Sequence, residues 1–299
     1  MNAAREKVDG RREDLGGLEE LSWAYRSSSY RALNLAFGIR CATAEVGLYL
    51  DHVLSGLKSE EQTPEVWYSI ADPPRGSDRL CSLYFGSELI AQTHSEAFAI
   101  HTLLWHLNAA TVERADPYVV LHAGGVALGN EGVIISGPSG AGKTTLTAAL
   151  VRAGFSYLTD EALAIDPKTG LLQPYPKALT IQQGSWELLA DMRPPPSDLS
   201  LHVWHVAPAD IRPNAIASPT PPTLVLLPTR EGATDMEELS RAETAVQLAQ
   251  HCFGFPAGAT PTLPVLADLL VRCRCFRLST VDLGRAVRSV EELMHRTVA

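Results

Sequence analysis

The chain is poor in cysteine, in aromatic side chains and in positive charge. Its five cysteines, Cys41, Cys81, Cys252, Cys273 and Cys275, are odd in number and never spaced CxxC. That excludes a disulfide framework or a cysteine zinc site and leaves reduced thiols. Lys and Arg number 25 against 34 acids, a formal net charge of −9, which argues against a generally basic nucleic-acid binder. No stretch reaches the ~18 consecutive apolar residues that a membrane span needs. The charged first twenty residues carry no apolar segment of the secretory kind and read as a flexible, solvated tail. At 299 residues, 45% hydrophobic and 20% charged, the composition is that of a globular protein of one large domain or two. Together these absences predict a soluble, cytoplasmic protein with neither nucleic acid nor membrane as partner.

Two regions follow the tail. Residues 21–115 read as a smaller α/β domain. Within it, 43–57 and 95–108 carry apolar residues at helical intervals, 65–70 and 80–85 suit strands, and 71–78 is a turn by composition. Residues 116–299 read as a second α/β domain. Apolar runs at 118–121 and 132–135 flank the hairpin chemistry of Leu128-Gly-Asn-Glu-Gly132. A helix over 144–153 ends at Gly154, and strands are expected at 155–159, 162–165, 171–175, 223–227 and 275–278. Helices close the pattern at 240–253 and 282–295, and loops should dominate the proline-rich 193–222.

The strongest local signal is Gly137-Pro-Ser-Gly-Ala-Gly-Lys-Thr144, a complete G-x-x-x-x-G-K-[ST] between a strand and a helix. Small residues let the backbone wrap a phosphate chain with its N–H groups pointing inward, and the helix start adds its positive end. Ser139, Gly140, Ala141, Gly142, Lys143, Thr144 and Thr145 are therefore the predicted ATP-binding residues. Lys143 would neutralise the β- and γ-phosphates, and the Thr144 hydroxyl would ligate Mg²⁺.

The metal-ordering acid expected at the end of a separate apolar strand is missing at 223–227. The nearest acids are Asp160-Glu161, 16 and 17 positions after Thr144. A helix of ten residues runs ~15 Å away from the loop, and a five-residue strand returns ~16 Å, so this pair can stand level with the phosphates. Adjacent acids can divide two tasks, one holding metal and one accepting a proton. Glu161 is expected beside Thr144 at the metal and Asp160 at the acceptor hydroxyl, with the reverse assignment open.

His122, followed by Ala-Gly-Gly, then the loop, then Arg152-Ala-Gly154 and Asp160-Glu161, resemble HPr serine kinase. They resemble even more the HPr-kinase-related proteins of peptide-modifying clusters, some of which phosphorylate the C-terminal serine of lasso-peptide precursors. The same core is similar to the nucleotide site of ATP-dependent phosphoenolpyruvate carboxykinase. The resemblance implies a P-loop core of that type, a site role for His122 as well as Asp160 and Glu161, ATP and Mg²⁺ as cofactors, a serine-bearing peptide or protein as partner, and a homo-oligomer. Two departures stand out: HPr kinase carries two aspartates where this chain has Asp160-Glu161, and its Glu-Ile-Arg-Gly-Leu-Gly stretch has no counterpart here.

Lys177 could reach a substrate phosphate or be a surface lysine. Arg212 and Arg230 could lend positive charge to a transferring phosphoryl group. His202 and His205 flank Trp204 with spacing too sparse for a metal site, and Cys273 and Cys275 read as packing. A small-metabolite kinase and a non-catalytic nucleotide switch share the loop, and only the paired acids speak against the switch.

Overall fold

A computed structural model of the chain describes residues 18, 21–59, 63–71, 80–230, 235–254 and 262–297. The expected N-terminal tail and nearly all of the 71–78 turn lie outside the described residues. What is described is a mixed α/β protein with two large sheets and a two-stranded one.

The first sheet begins with β1 (Tyr25–Arg26), β2 (Ser29–Ala32) and β3 (Leu35–Cys41), followed by helix α1 (Ala44–Val53) and β4 (Lys58–Ser59). It continues with β5 (Val66–Ala71), β6 (Cys81–Phe85) and β7 (Glu88–Thr93), and helix α2 (Glu96–Glu113) closes the region. The strand order is β4-β2-β3-β5-β6-β7, with β1 also on β3. Only β3 and β5 are parallel, the pairing that the α1 crossover requires. The composition gave no strand at β3, because Leu35-Ala-Phe-Gly-Ile-Arg-Cys41 has no apolar–polar alternation. It is buried along its whole length, with neighbours on both edges. The expected helix over 43–57 stops at Val53 and continues as a single 3-10 turn, Ser55–Leu57.

The second sheet opens with the hairpin β8 (Val119–Leu128) and β9 (Glu131–Ser136), then α3 (Lys143–Arg152), β10 (Ser156–Thr159), β11 (Ala162–Ile165) and β12 (Leu172–Gln173). A separate ribbon, β13 (Leu179–Gln182) with β14 (Val203–Val206), is followed by the short α4 (Pro208–Ile211). β15 (Pro222–Thr229), β16 (Met236–Glu238), α5 (Arg241–Gln250), α6 (Thr262–Arg272), β17 (Arg274–Ser279) and α7 (Leu283–Thr297) complete the chain. The order is β12-β11-β8-β9-β15-β17-β16, with β9, β15 and β17 mutually parallel. Helices α3 and α7 cover one face and α5 and α6 the other. α7 does so with Leu283, Ala286, Val290 and Leu293 at helical spacing. α6 was not expected as a helix; its buried Leu266, Leu269 and Leu270 show the same logic.

β8 corrects the sequence reading. It does not end at His122 but runs through Gly124 and Gly125 to Leu128, so His122 is a mid-strand residue. The glycines are there for close approach: a Cβ on Gly124 would lie 2.4 Å from the Thr147 hydroxyl of α3. Along β8 one face carries Leu121, Ala123 and Ala127 into the core beneath α5 and α6. The other face gives Val120 to the core shared with α2, then His122, then Gly124, then Val126 against α3. That first core draws in Ala162, Ala164, Tyr175 and Ala178, so apolar packing is continuous across the expected 115/116 boundary.

β10 and β11 lie end to end along β8. Both pair antiparallel with the same edge of β8, Tyr157 opposite Val126 and Ala162 opposite His122. A register shift before Thr159 leaves Asp160-Glu161 as a break in one nearly continuous strand, whose β11 half also pairs with β12.

The Gly124–Thr147 contact makes a prediction. Gly124→Ala should cost about 1–3 kcal/mol through overpacking, read as a lower denaturation midpoint. The Thr147 hydroxyl is buried without a hydrogen-bond partner, so Thr147→Ala should be nearly neutral and should recover much of the Gly124→Ala loss. Equal losses in the single and double variants would contradict this close approach.

Candidate active site

The loop between β9 and α3 owes its shape to glycines in the left-handed region. Gly140 has φ +81° and Gly142 φ +96°, conformations that cost ~1–2 kcal/mol in residues with a Cβ. Gly142 is the N-cap of α3 and supplies no side-chain cap, so the first-turn N–H groups stay open to an anion. Lys143, only 7% exposed, donates to the carbonyls of Gly137 (2.7 Å) and Pro138 (3.1 Å) in its own loop. Burial lowers its pKa, and the nearby carboxylates of Glu161 and Asp160 oppose that shift.

Opposite the loop, the strand break places two acids in different surroundings. Asp160 is 3% exposed and accepts from the Tyr157 hydroxyl (2.9 Å) and the Thr180 backbone N–H (3.2 Å). The Thr144 hydroxyl and the Lys177 ammonium each approach it to 3.5 Å. Lys177 is therefore no surface lysine: it forms a buried ion pair with Asp160. Burial and the adjacent carboxylate hold Tyr157 protonated, its pKa well above the phenol range. Glu161 lies 3.5 Å from His122 Nδ1, both side chains about one-third exposed. Burial raises the Glu161 pKa, with Lys177 working against the shift. Burial, then Lys143, lowers that of His122, which keeps the ring neutral. Of the two arrangements the sequence left open, the distances set Asp160 beside Thr144 and Glu161 beside His122.

These groups line one cavity of about 540 Å³. Of the predicted loop residues, Ser139, Gly140, Gly142, Lys143, Thr144 and Thr145 line it, whereas Ala141 does not. Arg230, just past β15, lines both it and an adjoining second cavity of about 330 Å³. Arg212 is elsewhere, donating to the Phe155 carbonyl at 3.1 Å. His202 is exposed, and no cluster of three or more metal-ligating side chains occurs among the described residues.

Several cavity residues were not legible beforehand. His205 is buried, bonded through Nδ1 to the Tyr49 hydroxyl at 2.7 Å, with its pKa pushed down to about 4 by burial and then by Lys177. Ser185 shares a 2.6 Å hydrogen bond with Thr145. His101, Trp105 and Asn108 reach the cavity from α2, and only helical periodicity, which marks their opposite face as core, could have pointed to them.

Comparisons add little. The sequence matches no protein-family model and no curated protein. Among solved structures, the HPr(Ser) kinase/phosphatase from Coxiella burnetii is similar over 59% of this chain and 98% of its own, at 12% identity and a TM-score of 0.31. That likeness is too slight to carry a function across. No helix among the described residues is long and apolar enough to cross a membrane.

The buried ion pair can be tested by itself. Lys177→Met leaves a buried carboxylate without its cation and should cost about 3–5 kcal/mol. Adding Asp160→Asn should recover most of that loss in urea denaturation; strictly additive losses would mean that the two groups do not interact.

Proposed function

We propose that this chain transfers the γ-phosphoryl group of ATP to a serine-type hydroxyl of a peptide or protein, such as a ribosomal peptide precursor. The observation that carries the reading is a complete phosphate loop sharing one cavity with two carboxylates in unlike environments. A P-loop core of the HPr kinase type and assembly into a homo-oligomer belong to the same proposal.

The oxygen donors fit magnesium, which takes one or two protein oxygens beside substrate phosphates. The Thr144 hydroxyl and the Asp160 carboxylate face one another at 3.5 Å and would hold the ion. Bound there, magnesium supplies charge neutralisation at the β- and γ-phosphates. Lys143 exchanges its loop carbonyls for those phosphates, and the uncapped start of α3 holds them in place. Asp160 is held by the Tyr157 hydroxyl, the Thr180 N–H and Lys177, contacts that fix its carboxylate beside Thr144. Glu161 is more exposed and less constrained, and a carboxylate with a raised pKa is the better proton acceptor. It takes the acceptor's hydroxyl proton as the oxygen attacks phosphorus and the bond to ADP breaks. Neutral His122 orients it. A non-catalytic nucleotide switch would give the Glu161–His122 pair no task.

Three variants test the reading. Lys143→Ala should severely weaken ATP binding without unfolding the protein, and full activity there would contradict the loop's role. Glu161→Gln should slow phosphoryl transfer by ~10²-fold or more with little change in ATP affinity. Asp160→Asn should instead shift the magnesium dependence. The checks are ATP affinity and transfer rate across a magnesium titration.

A further inference from the structure

Helix α2 buries Ile100, Leu103 and Leu107, yet its opposite face is not polar. Phe98 and Trp105 are 47% and 66% exposed, with His101 between them on the same stripe (i, i+3, i+7). His101 and Trp105 line the large cavity; Phe98 lies one to two turns farther out. The stripe thus starts at the wall of the phosphate site and continues beyond it.

Chemistry distinguishes the two ends of the site. Lys143, Asp160, Glu161 and His122 all line the large cavity, which makes it the γ-phosphate and acceptor end. The second cavity shares Gly142, Thr145, Gly184 and Arg230 with it, but its remaining lining includes Leu188, Val281 and Leu283 and, among the described residues, no carboxylate or imidazole. That lining suits a nucleoside, so Trp105 falls on the acceptor side of the phosphates rather than beneath the base.

Resting on the kinase reading, we infer that α2 is the acceptor-docking wall, and that the acceptor is a peptide whose serine is flanked by apolar residues seated on Trp105 and Phe98. A ligand confined to the cavity would leave Phe98 uncovered. Phe98 and Trp105 are seven helical steps apart, ~10 Å along the axis, which an extended peptide spans in about three residues. An apolar residue next to the serine and another about three positions farther on therefore match the stripe. Phe253, 38% exposed and edge-on to His122 at 5.8 Å, adds a further apolar surface beside the pair that receives the hydroxyl proton.

The test uses the full chain, γ-labelled ATP and arrayed peptides. Each peptide has one central serine in an alanine–lysine background, with leucine placed singly or in pairs one to five positions away on either side. Free serine and glycerol serve as small acceptors. The expected result is a preference on the order of ten-fold in kcat/KM for paired leucines about three residues apart. Trp105→Ala should abolish that preference through KM, and Phe98→Ala only the part due to the outer leucine, with ATP affinity held in both. Retention of the preference in Trp105→Ala, or loss of ATP affinity there, overturns the inference. Phosphorylation of free serine or glycerol but of no peptide overturns it and leaves a kinase; no labelled acceptor of any kind removes both.

Discussion

The site depends on a carboxylate that water scarcely reaches. Asp160 sits in a break between two strand segments, and burying its charge would be costly without compensation. The compensation is local and complete: a phenol, a backbone N–H, a hydroxyl and the buried ammonium of Lys177 surround it. Three of these donors come from elements separate in sequence: Thr144 from the phosphate loop, Tyr157 from β10 and Thr180 from β13. Satisfying Asp160 therefore locks the loop, the sheet edge and the β13–β14 ribbon into one geometry. Glu161, the next residue, lines the cavity under much weaker constraint, and the roles proposed for the two acids rest on this asymmetry.

The position of the site follows from how three apolar cores meet. β8 carries Val120 into the core shared with α2 and Val126 into the core beneath α3. Between them it presents His122 and the side-chain-free Gly124. A polar residue at position 122 can be tolerated because it faces the gap between two cores. The gap is closed on one side by α3, drawn against β8 by the Gly124–Thr147 contact, and on another by α2. Helix α2, packed on the first sheet, thus forms part of the cavity wall.

Local features were legible in the sequence, and features made by folding were not. The Gly137–Thr144 motif is legible because its pattern is eight contiguous residues, and the acid pair because a helix and a strand fix its distance from that loop. Strands such as β11 were readable from apolar runs bounded by turn residues. β3 was not, since full burial erases alternation. The Gly124-Gly125 pair reads as a strand end unless the approaching helix is known. Lys177 could not be told from a surface lysine, because its partner lies 17 residues away and its burial is tertiary. The cavity face of α2 was hidden for the same reason: periodicity identifies the buried stripe of a helix but does not say what the exposed stripe faces.

In the proposed reaction a hydroxyl, and not only water, receives the phosphoryl group. That is tested most directly by following label from γ-labelled ATP in single turnover with magnesium and two degenerate peptide pools, one with a fixed central serine and one with alanine in its place. Label is expected on the serine pool and not on the alanine pool, with free phosphate a minor product. Label released only as free phosphate, at the same rate with either pool or with none, would contradict it.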